Sequence, residues 1–471
     1  MTDKPIRAGR RRPARAAGKR ASSPPQRFKR LPAGSHGLDP QLVREDQARR
    51  LRAAMVELIA AKGYPSVRIA DLAKLAHVSP PTLYSLYADK EQLLMGAYED
   101  IARRTGRAIA AAHSADDPPG RRLQRAIEAF AVLAATEPQA VSLLVLGAFG
   151  AGPQVRRKRR LALDALEAYI HANRAPRQPL DEGDLTVTAI VGGIREVTAS
   201  RLRHGRHDEL PSLAGALASW GGAYPARLPE GLLAHPIPDG RAGGQTAGSS
   251  RRPEGPLQAG RSELSRERIV KSQRERIVDA TATIVAEKGL SALTIPQIAR
   301  RASVSNQTFY AMYASKDAAF LGAQKVGMHQ ALRVAVAAYQ DGGEHWPSAV
   351  RSGISALLEY LASEPEHAHL TLVDTFAASP EALAIRERAM EGFRAYLAPG
   401  VEPALGGDGA GGADPAVVTE AVAGGIWQVL HLYIEKRATA SLPQAAPQLT
   451  YFALAPVLGA ERAAQTALEA S

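Results

Sequence analysis

The fold is decided by a short segment that occurs twice in the chain. Residues 79–94 read SPPTLYSLYADKEQLL, and residues 305–320 read SNQTFYAMYASKDAAF. When the sequence is compared with itself, Lys62–Leu94 aligns with Lys288–Phe320 without a gap, and 12 of the 33 paired positions are identical. Weaker matches continue downstream at nearly the same spacing. The whole chain is therefore predicted to be a tandem duplication of one unit.

Each copy of this segment is predicted to complete a helix-turn-helix. An apolar stripe with helical spacing precedes it, formed by Leu51, Met55, Leu58 and Ile59 in the first copy and by Ile277, Thr281, Ile284 and Val285 in the second. The pairs Lys62-Gly63 and Lys288-Gly289 are typical of a helix end. After a second short helix, Ser79 and Ser305 are placed to cap the N-terminus of a third.

The composition of the 471-residue chain favours helices over strands. Aromatic residues make up only 5% of the sequence, while alanine is abundant, so an all-α fold is expected. The chain has no cysteine, which excludes disulfides, thiolate metal sites and a cysteine nucleophile. This composition is consistent with a reducing compartment, and the cytoplasm is the expected location.

The positive charge is concentrated at the N-terminus. Of a net charge of +12, residues 1–38 carry eleven Lys and Arg against one acid, which leaves +2 for the rest. A segment this polar is expected to be disordered, and its charge would attract phosphate without regard to base sequence. The alternative is a solvated extension without function. No apolar stretch reaches the roughly 18 residues that a membrane span needs, so no membrane partner is expected.

The third helix of each copy has the two faces that DNA reading requires. Leu83 and Tyr87, or Phe309 and Tyr313, form an apolar face that can pack on the preceding helices. The opposite face is polar, and its hydroxyls and amides suit phosphate oxygens and base edges. DNA contacts are predicted on and beside this face for Arg68, Ser79, Pro80, Pro81, Thr82, Tyr84, Ser85, Lys90, Thr294, Ser305, Asn306, Gln307, Thr308, Tyr310 and Lys316.

These residues resemble the recognition-helix signature of the tetracycline-repressor (TetR) family of bacterial regulators. The resemblance implies that each unit is a three-helix DNA-binding domain followed by a helical domain for ligand binding and dimerisation. Its implied partners are a double-stranded DNA operator and a small-molecule effector. Leu86 and Met312 stand where the family often has histidine, and neither side chain can hydrogen-bond to a base.

The duplication and the resemblance together predict the domain boundaries. The predicted order is a disordered basic tail (1–41), a first helix-turn-helix domain (42–95), a first helical regulatory domain (96–220), a flexible linker (221–265), a second helix-turn-helix domain (266–321), a second helical regulatory domain (322–459) and a C-terminal tail (460–471). In this arrangement the two units form a pseudo-dimer within one chain, and further self-association stays open. Because Pro80-Pro81 in one head corresponds to Asn306-Gln307 in the other, two unlike half-sites are expected.

Other patterns carry less weight. Phe376, Trp427 and His431 are predicted to line an effector pocket in the second unit, with plain core packing as the alternative. The histidine pairs His367/His369 and His204/His207 lack a third ligand nearby, so no metal site is expected. The glycine-rich residues 407–412 follow no predicted strand and are expected to be a loop, so no dinucleotide cofactor is predicted. No catalytic set emerges, which makes a helical enzyme the weakest interpretation.

The favoured interpretation is a ligand-responsive repressor in which one chain supplies both DNA-reading heads. In the family's usual mode, the protein covers an operator until a small molecule changes the spacing of the heads. The main alternative is an architectural protein of the nucleoid that binds DNA with little sequence specificity. A specificity ratio near one would favour that alternative.

Overall fold

The computed structural model describes residues 39–114, 116–147, 153–174, 183–240, 265–373, 379–405 and 414–469. Throughout these ranges the regular secondary structure is helical, which confirms the predicted all-α class. The helices of the first unit are α1 (Pro40–Lys62), α2 (Ile69–Ala76), α3 (Pro80–Leu86), α4 (Lys90–Ala111), α5 (Pro119–Thr136), α6 (Pro138–Ser142), α7 (Pro153–Arg174), α8 (Thr186–Arg203) and α9 (Leu210–Gly222).

The second unit repeats this order and has one further helix among its described residues. Its helices are α10 (Arg266–Lys288), α11 (Ile295–Arg301), α12 (Asn306–Met312), α13 (Lys316–Asp341), α14 (Trp346–Ser363), α15 (Pro365–Leu372), α16 (Pro380–Leu405), α17 (Pro415–Glu435), α18 (Ala446–Leu458) and α19 (Ala460–Leu468). Helices α10 to α13 begin at the positions that the repeat pairs with the first residues of α1 to α4. The duplication inferred from the sequence is therefore also a duplication of structure.

Each head, formed by the first three helices of a unit and the start of the fourth, has its own core. The predicted stripe supplies it, since Leu51 and Met55 in one head and Ile277 in the other are fully buried. The first helix of each head ends at a glycine with positive φ, 73° at Gly63 and 79° at Gly289. That backbone region favours glycine, which explains why the Lys-Gly pair recurs.

The two units share one large core, and α8 and α17 pack against each other at its centre. Glycines permit this close crossing. A Cβ atom on Gly192 would lie 2.3 Å from the Cβ of Gln428, and one on Gly424 would lie 2.3 Å from the Cβ of Glu196. Because Gly192 corresponds to Gly424 and Glu196 to Gln428, each unit contacts the other with equivalent residues, as in an isologous interface.

Aromatic and ionic contacts extend this interface. The indole of Trp220 on α9 lies edge-on to the ring of Phe452 on α18, with centroids 5.9 Å apart. The hydroxyl of Tyr224 donates to the carbonyl of Phe452 at 2.9 Å. Ion pairs also cross between the units: Arg201 with Glu420, Arg203 with Glu387, and Arg386 with Glu196.

The predicted linker, residues 221–265, and C-terminal tail, residues 460–471, need correction. Tyr224 and Leu232 are buried, and the backbone N–H of Gly240 donates to the carbonyl of Lys436 at 3.0 Å. Residues 221–240 thus contact the second unit and are not a flexible linker. Apolar side chains within this Gly- and Pro-rich stretch provide the contacts. Similarly, α19 buries Ala463 and Ala467, which lie on one helical face.

One helix of the described part, Pro415–Glu435, is long and apolar enough to cross a membrane by length and composition. The apolar window of that helix is 94% buried inside the protein. Its composition therefore reflects its place at the centre of the shared core.

Candidate functional site

The N-termini of α3 and α12, the two recognition helices, are capped as predicted. The hydroxyl of Ser79 accepts from the N–H of Thr82 at 3.2 Å, and that of Ser305 accepts from the N–H of Thr308 at 3.0 Å. Pro80 occupies the first turn of α3, where a missing N–H leaves no hydrogen bond unmade. Both recognition helices therefore start from the same local geometry.

The turn before each recognition helix is held by an arginine from the first helix. His77 and Ser303, at the turn, have φ of 53° and 51°, in the left-handed region. Arg50 donates to the carbonyl of His77 at 3.1 Å, and Arg276 donates to the carbonyl of Ser303 at 3.0 Å. Each guanidinium also bonds the carbonyl one residue earlier, so it clamps the turn. This pair was not predicted from the sequence, although the two arginines occupy equivalent positions of the repeat.

The recognition helices bury one face and expose the other. Leu83 and Phe309 are fully buried on the inner face. Tyr84 is 55% exposed and Tyr310 is 58% exposed, so neither tyrosine belongs to the core of its head. Large aromatic side chains at equivalent exposed positions of two heads are available for an external partner.

The residues with predicted DNA contacts fall into two groups. Eleven lie on the exposed surface of the heads: Arg68, Ser79, Pro80, Pro81, Tyr84, Ser85, Thr294, Ser305, Asn306, Gln307 and Tyr310. Four are half-buried: Thr82, Lys90, Thr308 and Lys316. Leu86 and Met312, which stand in place of the family's histidine, are also half-buried and pack against the head cores. The structure thus exposes eleven of the fifteen predicted side chains, and their contacts with DNA stay predictions.

Lys90 and Lys316 begin α4 and α13, as expected, but their ammonium groups are engaged within the head. Lys90 donates to the carbonyls of Tyr64 at 3.2 Å and Val67 at 3.1 Å, and Lys316 donates to the carbonyl of Leu293 at 3.0 Å. Partial burial lowers the pKa of Lys90. These lysines brace the segment before α2 or α11. The Lys90 ammonium also lies 4.3 Å from the centroid of the Tyr64 ring, so its contact with a phosphate stays a prediction.

A glycine in the fourth helix lets a tyrosine ring pack flat against it in both heads. A Cβ atom on Gly96 would lie 3.1 Å from Cε1 of Tyr87, and one on Gly322 would lie 2.6 Å from Cε1 of Tyr313. In the first head the hydroxyl of Tyr87 also accepts from Arg52 at 3.1 Å. The identical spacing of both glycines in the repeat was the signal for this contact in the sequence.

The helical domains hold cavities of unequal size. In the first unit, α4, α5, α7 and α8 enclose about 390 Å³. At the corresponding place in the second unit the cavity is about 60 Å³, and Trp427 is part of its wall. Trp427 and His431 also line a space of about 20 Å³ between the units, and burial lowers the pKa of His431 well below its usual value. Phe376 and residues 407–412 lie outside the described residues, as do residues 1–38.

Comparisons with known proteins agree with this geometry in the heads. The family described as "Bacterial regulatory proteins, tetR family" matches twice, at residues 51–96 and 277–322. A search of curated proteins found no match.

Solved structures supply more distant likenesses. A TetR-like transcriptional regulator from Rhodococcus sp. RHA1 is 24% identical over 40% of this chain and 99% of its own, with a TM-score of 0.33. The fatty acid degradation regulator FadR from Bacillus halodurans is 18% identical over 37% and 94%, with a TM-score of 0.34. FadR from Bacillus subtilis, solved with stearoyl-CoA, is 19% identical over 36% and 96%, with a TM-score of 0.33.

The two family matches coincide with the two capped, arginine-clamped heads. Each match begins within the first helix of a head and ends within the fourth. The chain therefore carries, in tandem, two copies of the DNA-binding domain of the TetR family of bacterial regulatory proteins.

Proposed function

We propose that this protein is a ligand-responsive repressor in which one chain supplies both DNA-reading heads to a single operator. The observation that carries this proposal is the isologous contact of α8 with α17, which joins two complete units through equivalent residues. In a homodimer, such a contact would join two chains. Here the second unit takes the place of the partner, and the chain acts as a pseudo-dimer.

The exposed tips of α3 and α12 are proposed to enter successive major grooves. Tyr84 and Tyr310 are placed to give their hydroxyls to phosphate oxygens, which positions each head. Asn306 and Gln307 can pair with adenine edges, whereas Pro80 and Pro81 present only apolar surface. The heads should consequently read different half-sites, with the first head depending more on Thr82, Ser85 and Arg68.

The fourth helix provides the proposed link between effector and DNA. Helix α4 begins at Lys90 inside the first head and carries Thr105 and Ile109 on the wall of the large cavity. A ligand that shifts α4 would therefore shift the head attached to it. Release from the operator follows if the ligand binds the shifted form more tightly.

The basic N-terminal residues 1–38 are proposed to add affinity for any DNA, and the protein is placed in the bacterial cytoplasm, on the nucleoid when bound. The competing function is a low-specificity architectural protein, which the same tail would suit. No enzymatic activity is proposed.

Selection of bound duplexes from a random DNA library, followed by sequencing, tests the proposal. We expect a bipartite site whose half-sites differ and whose centres are about 34 to 36 Å apart, one helical turn. Recovery of no sequence preference would instead establish the architectural function, because its specificity ratio is near one.

A further inference from the structure

The large cavity of the first unit has the size and lining of a ligand site. Its volume of about 390 Å³ lies within the roughly 300 to 1,000 Å³ of small-molecule sites. Most of its wall is aliphatic or aromatic, with Ile109, Ile127, Phe130 and Leu163 among the lining residues. An apolar molecular body would fit there.

The equivalent place in the second unit is filled by larger side chains. By the spacing of the repeat, Gly106 corresponds to Leu332, Leu166 to Phe393, and Arg195 to Trp427. Leu332, Phe393 and Trp427 all line the remaining space of about 60 Å³. That volume is too small for a drug-sized ligand. Corresponding residues line both sites, but only the cavity of the first unit is large enough for a ligand.

Thr105 and Arg195 are two of the polar side chains that line the larger cavity. The hydroxyl of Thr105 is buried and has no hydrogen-bond partner among the described residues. Arg195 donates to the carbonyl of Val145 at 3.2 Å and to the side-chain oxygen of Gln428 from the second unit. Both acceptors are neutral, and a carboxylate forms stronger hydrogen bonds with a guanidinium than either.

The electrostatics beside Arg195 also favour an anion. Arg386 of the second unit pairs with Glu196 at 3.0 Å and lies 4.4 Å over the Trp427 ring. The counterpart of Arg386 in the first unit is Arg159. In the repeat, Arg195 corresponds to Trp427, and Gln428 corresponds to Glu196. Burial and the charge of Arg195 lower the pKa of Arg159 to about 9. An anionic group arriving here would relieve this repulsion.

We propose that the effector is an amphipathic carboxylate and that it binds only in the first unit, one molecule per chain. Its apolar body fills the cavity, its carboxylate bonds Arg195, and a polar atom along it meets the Thr105 hydroxyl. The proposal rests on the ligand response proposed above and specifies its chemistry and location.

Arg195 connects this site to the other unit. When its guanidinium turns to the ligand carboxylate, its hydrogen bond to Gln428 is released. Gln428 lies beside Gly192, at the centre of the crossing of α8 and α17. Occupation of one cavity thereby alters the contact that sets the relation between both heads.

Calorimetric titration of the full chain without DNA provides the test, with octanoate, decanoate and dodecanoate as probes and the matching alcohols as uncharged controls. We expect one site per chain and at least about tenfold tighter binding of the best acid than of its alcohol, equivalent to about 1.4 kcal/mol. Two sites per chain, equal affinity for acid and alcohol, or no binding of any of the acids would each overturn the proposal.

Variants locate the site. Arg195→Gln should abolish the preference for acid over alcohol. Gly106→Leu, which introduces the side chain that the second unit has at the corresponding position, should prevent binding of both acid and alcohol. The matched control Leu332→Ala should leave binding unchanged, and thermal unfolding checks that each variant is folded. Unaltered binding in Arg195→Gln refutes the proposal. DNA affinity of the same preparation is measured separately. Absence of DNA binding would refute the regulator function, whereas the ligand titration would still decide the ligand proposal.

Discussion

In both heads an arginine of the first helix clamps the turn before the recognition helix, and a glycine of the fourth helix lies under a tyrosine ring. The two helical domains are not alike in this way. At corresponding places, the first domain has a cavity of about 390 Å³ and the second has one of about 60 Å³. Arg386 pairs with Glu196, whereas the repeat places a glutamine, Gln428, at the corresponding position for Arg159. The heads have kept the contacts that hold their shape, whereas the helical domains have diverged in the residues that determine what they can bind.

The two corresponding arginines, Arg159 and Arg386, should differ most in what they contribute to stability. Arg386→Met should destabilise the protein by about 3 kcal/mol, because Glu196 would lose a buried partner. Arg159→Met should be neutral or stabilising, because burial already disfavours its charge. Denaturant titration of both variants measures the difference. Equal losses would show that the two sides of the interface are equivalent after all.

The pH dependence of stability sharpens the same contrast. Burial alone would raise the pKa of Glu196, but the charges and hydrogen bonds of Arg386 and Arg203 lower it from its usual value of 4.5 to about 2. The group therefore stabilises the fold above about pH 4.5, and this contribution, about 3 kcal/mol, is lost as the pH falls towards 2. Glu196→Gln, which reproduces Gln428, should flatten the unfolding free energy between these pH values. A variant as acid-sensitive as the parent would contradict the assignment.

The tips of the recognition helices should differ in base reading. Replacing Asn306 and Gln307 with alanine should cost about 1 to 3 kcal/mol for each base pairing lost and relax one half-site only. Replacing Pro80 and Pro81 with alanine is the matched control in the other head and should leave that half-site's preference nearly unchanged. Sequencing of DNA selected by each variant makes the comparison. Unchanged preferences in the Asn306/Gln307 variant would count against distinct reading.

Both heads have a close contact between a glycine and a tyrosine ring, and the stability cost of disturbing it should differ only slightly between them. Alanine at Gly322 would place its Cβ 2.6 Å from the tyrosine ring, compared with 3.1 Å for alanine at Gly96. Both changes overpack the head, and Gly322→Ala should cost about 1 kcal/mol more than Gly96→Ala. Chemical denaturation of the two variants tests this order, and the reverse order would disprove it.

Local features of the heads were readable from the sequence because they depend on neighbours in the chain. The caps at Ser79 and Ser305 follow from residues three positions apart, and the helix ends at Gly63 and Gly289 follow from the left-handed backbone that glycine permits. The unequal cavities were not readable in this way. They depend on Gly106 and Arg195, which are distant in the sequence. Only the fold shows that both residues line the same cavity.

The burial of Tyr224 and Leu232 escaped prediction for a related reason. Gly and Pro account for eight of residues 221–240, and this composition is typical of linkers. Hydrogen bonds with residues of the second unit, far away in the sequence, hold this segment in place. For example, the side-chain amide of Gln448 donates to the carbonyl of Leu233 at 3.0 Å. Single apolar residues within such a stretch indicate packing only when their partner surface is known.

In the proposed function, one chain with two unlike heads occupies a whole operator. Native mass spectrometry of the protein on a duplex recovered by selection, combined with footprinting, measures this directly. We expect one chain per duplex, with both half-sites protected and unlike in sequence. Two chains per duplex, each contributing a single head to a symmetric site, would contradict the claim.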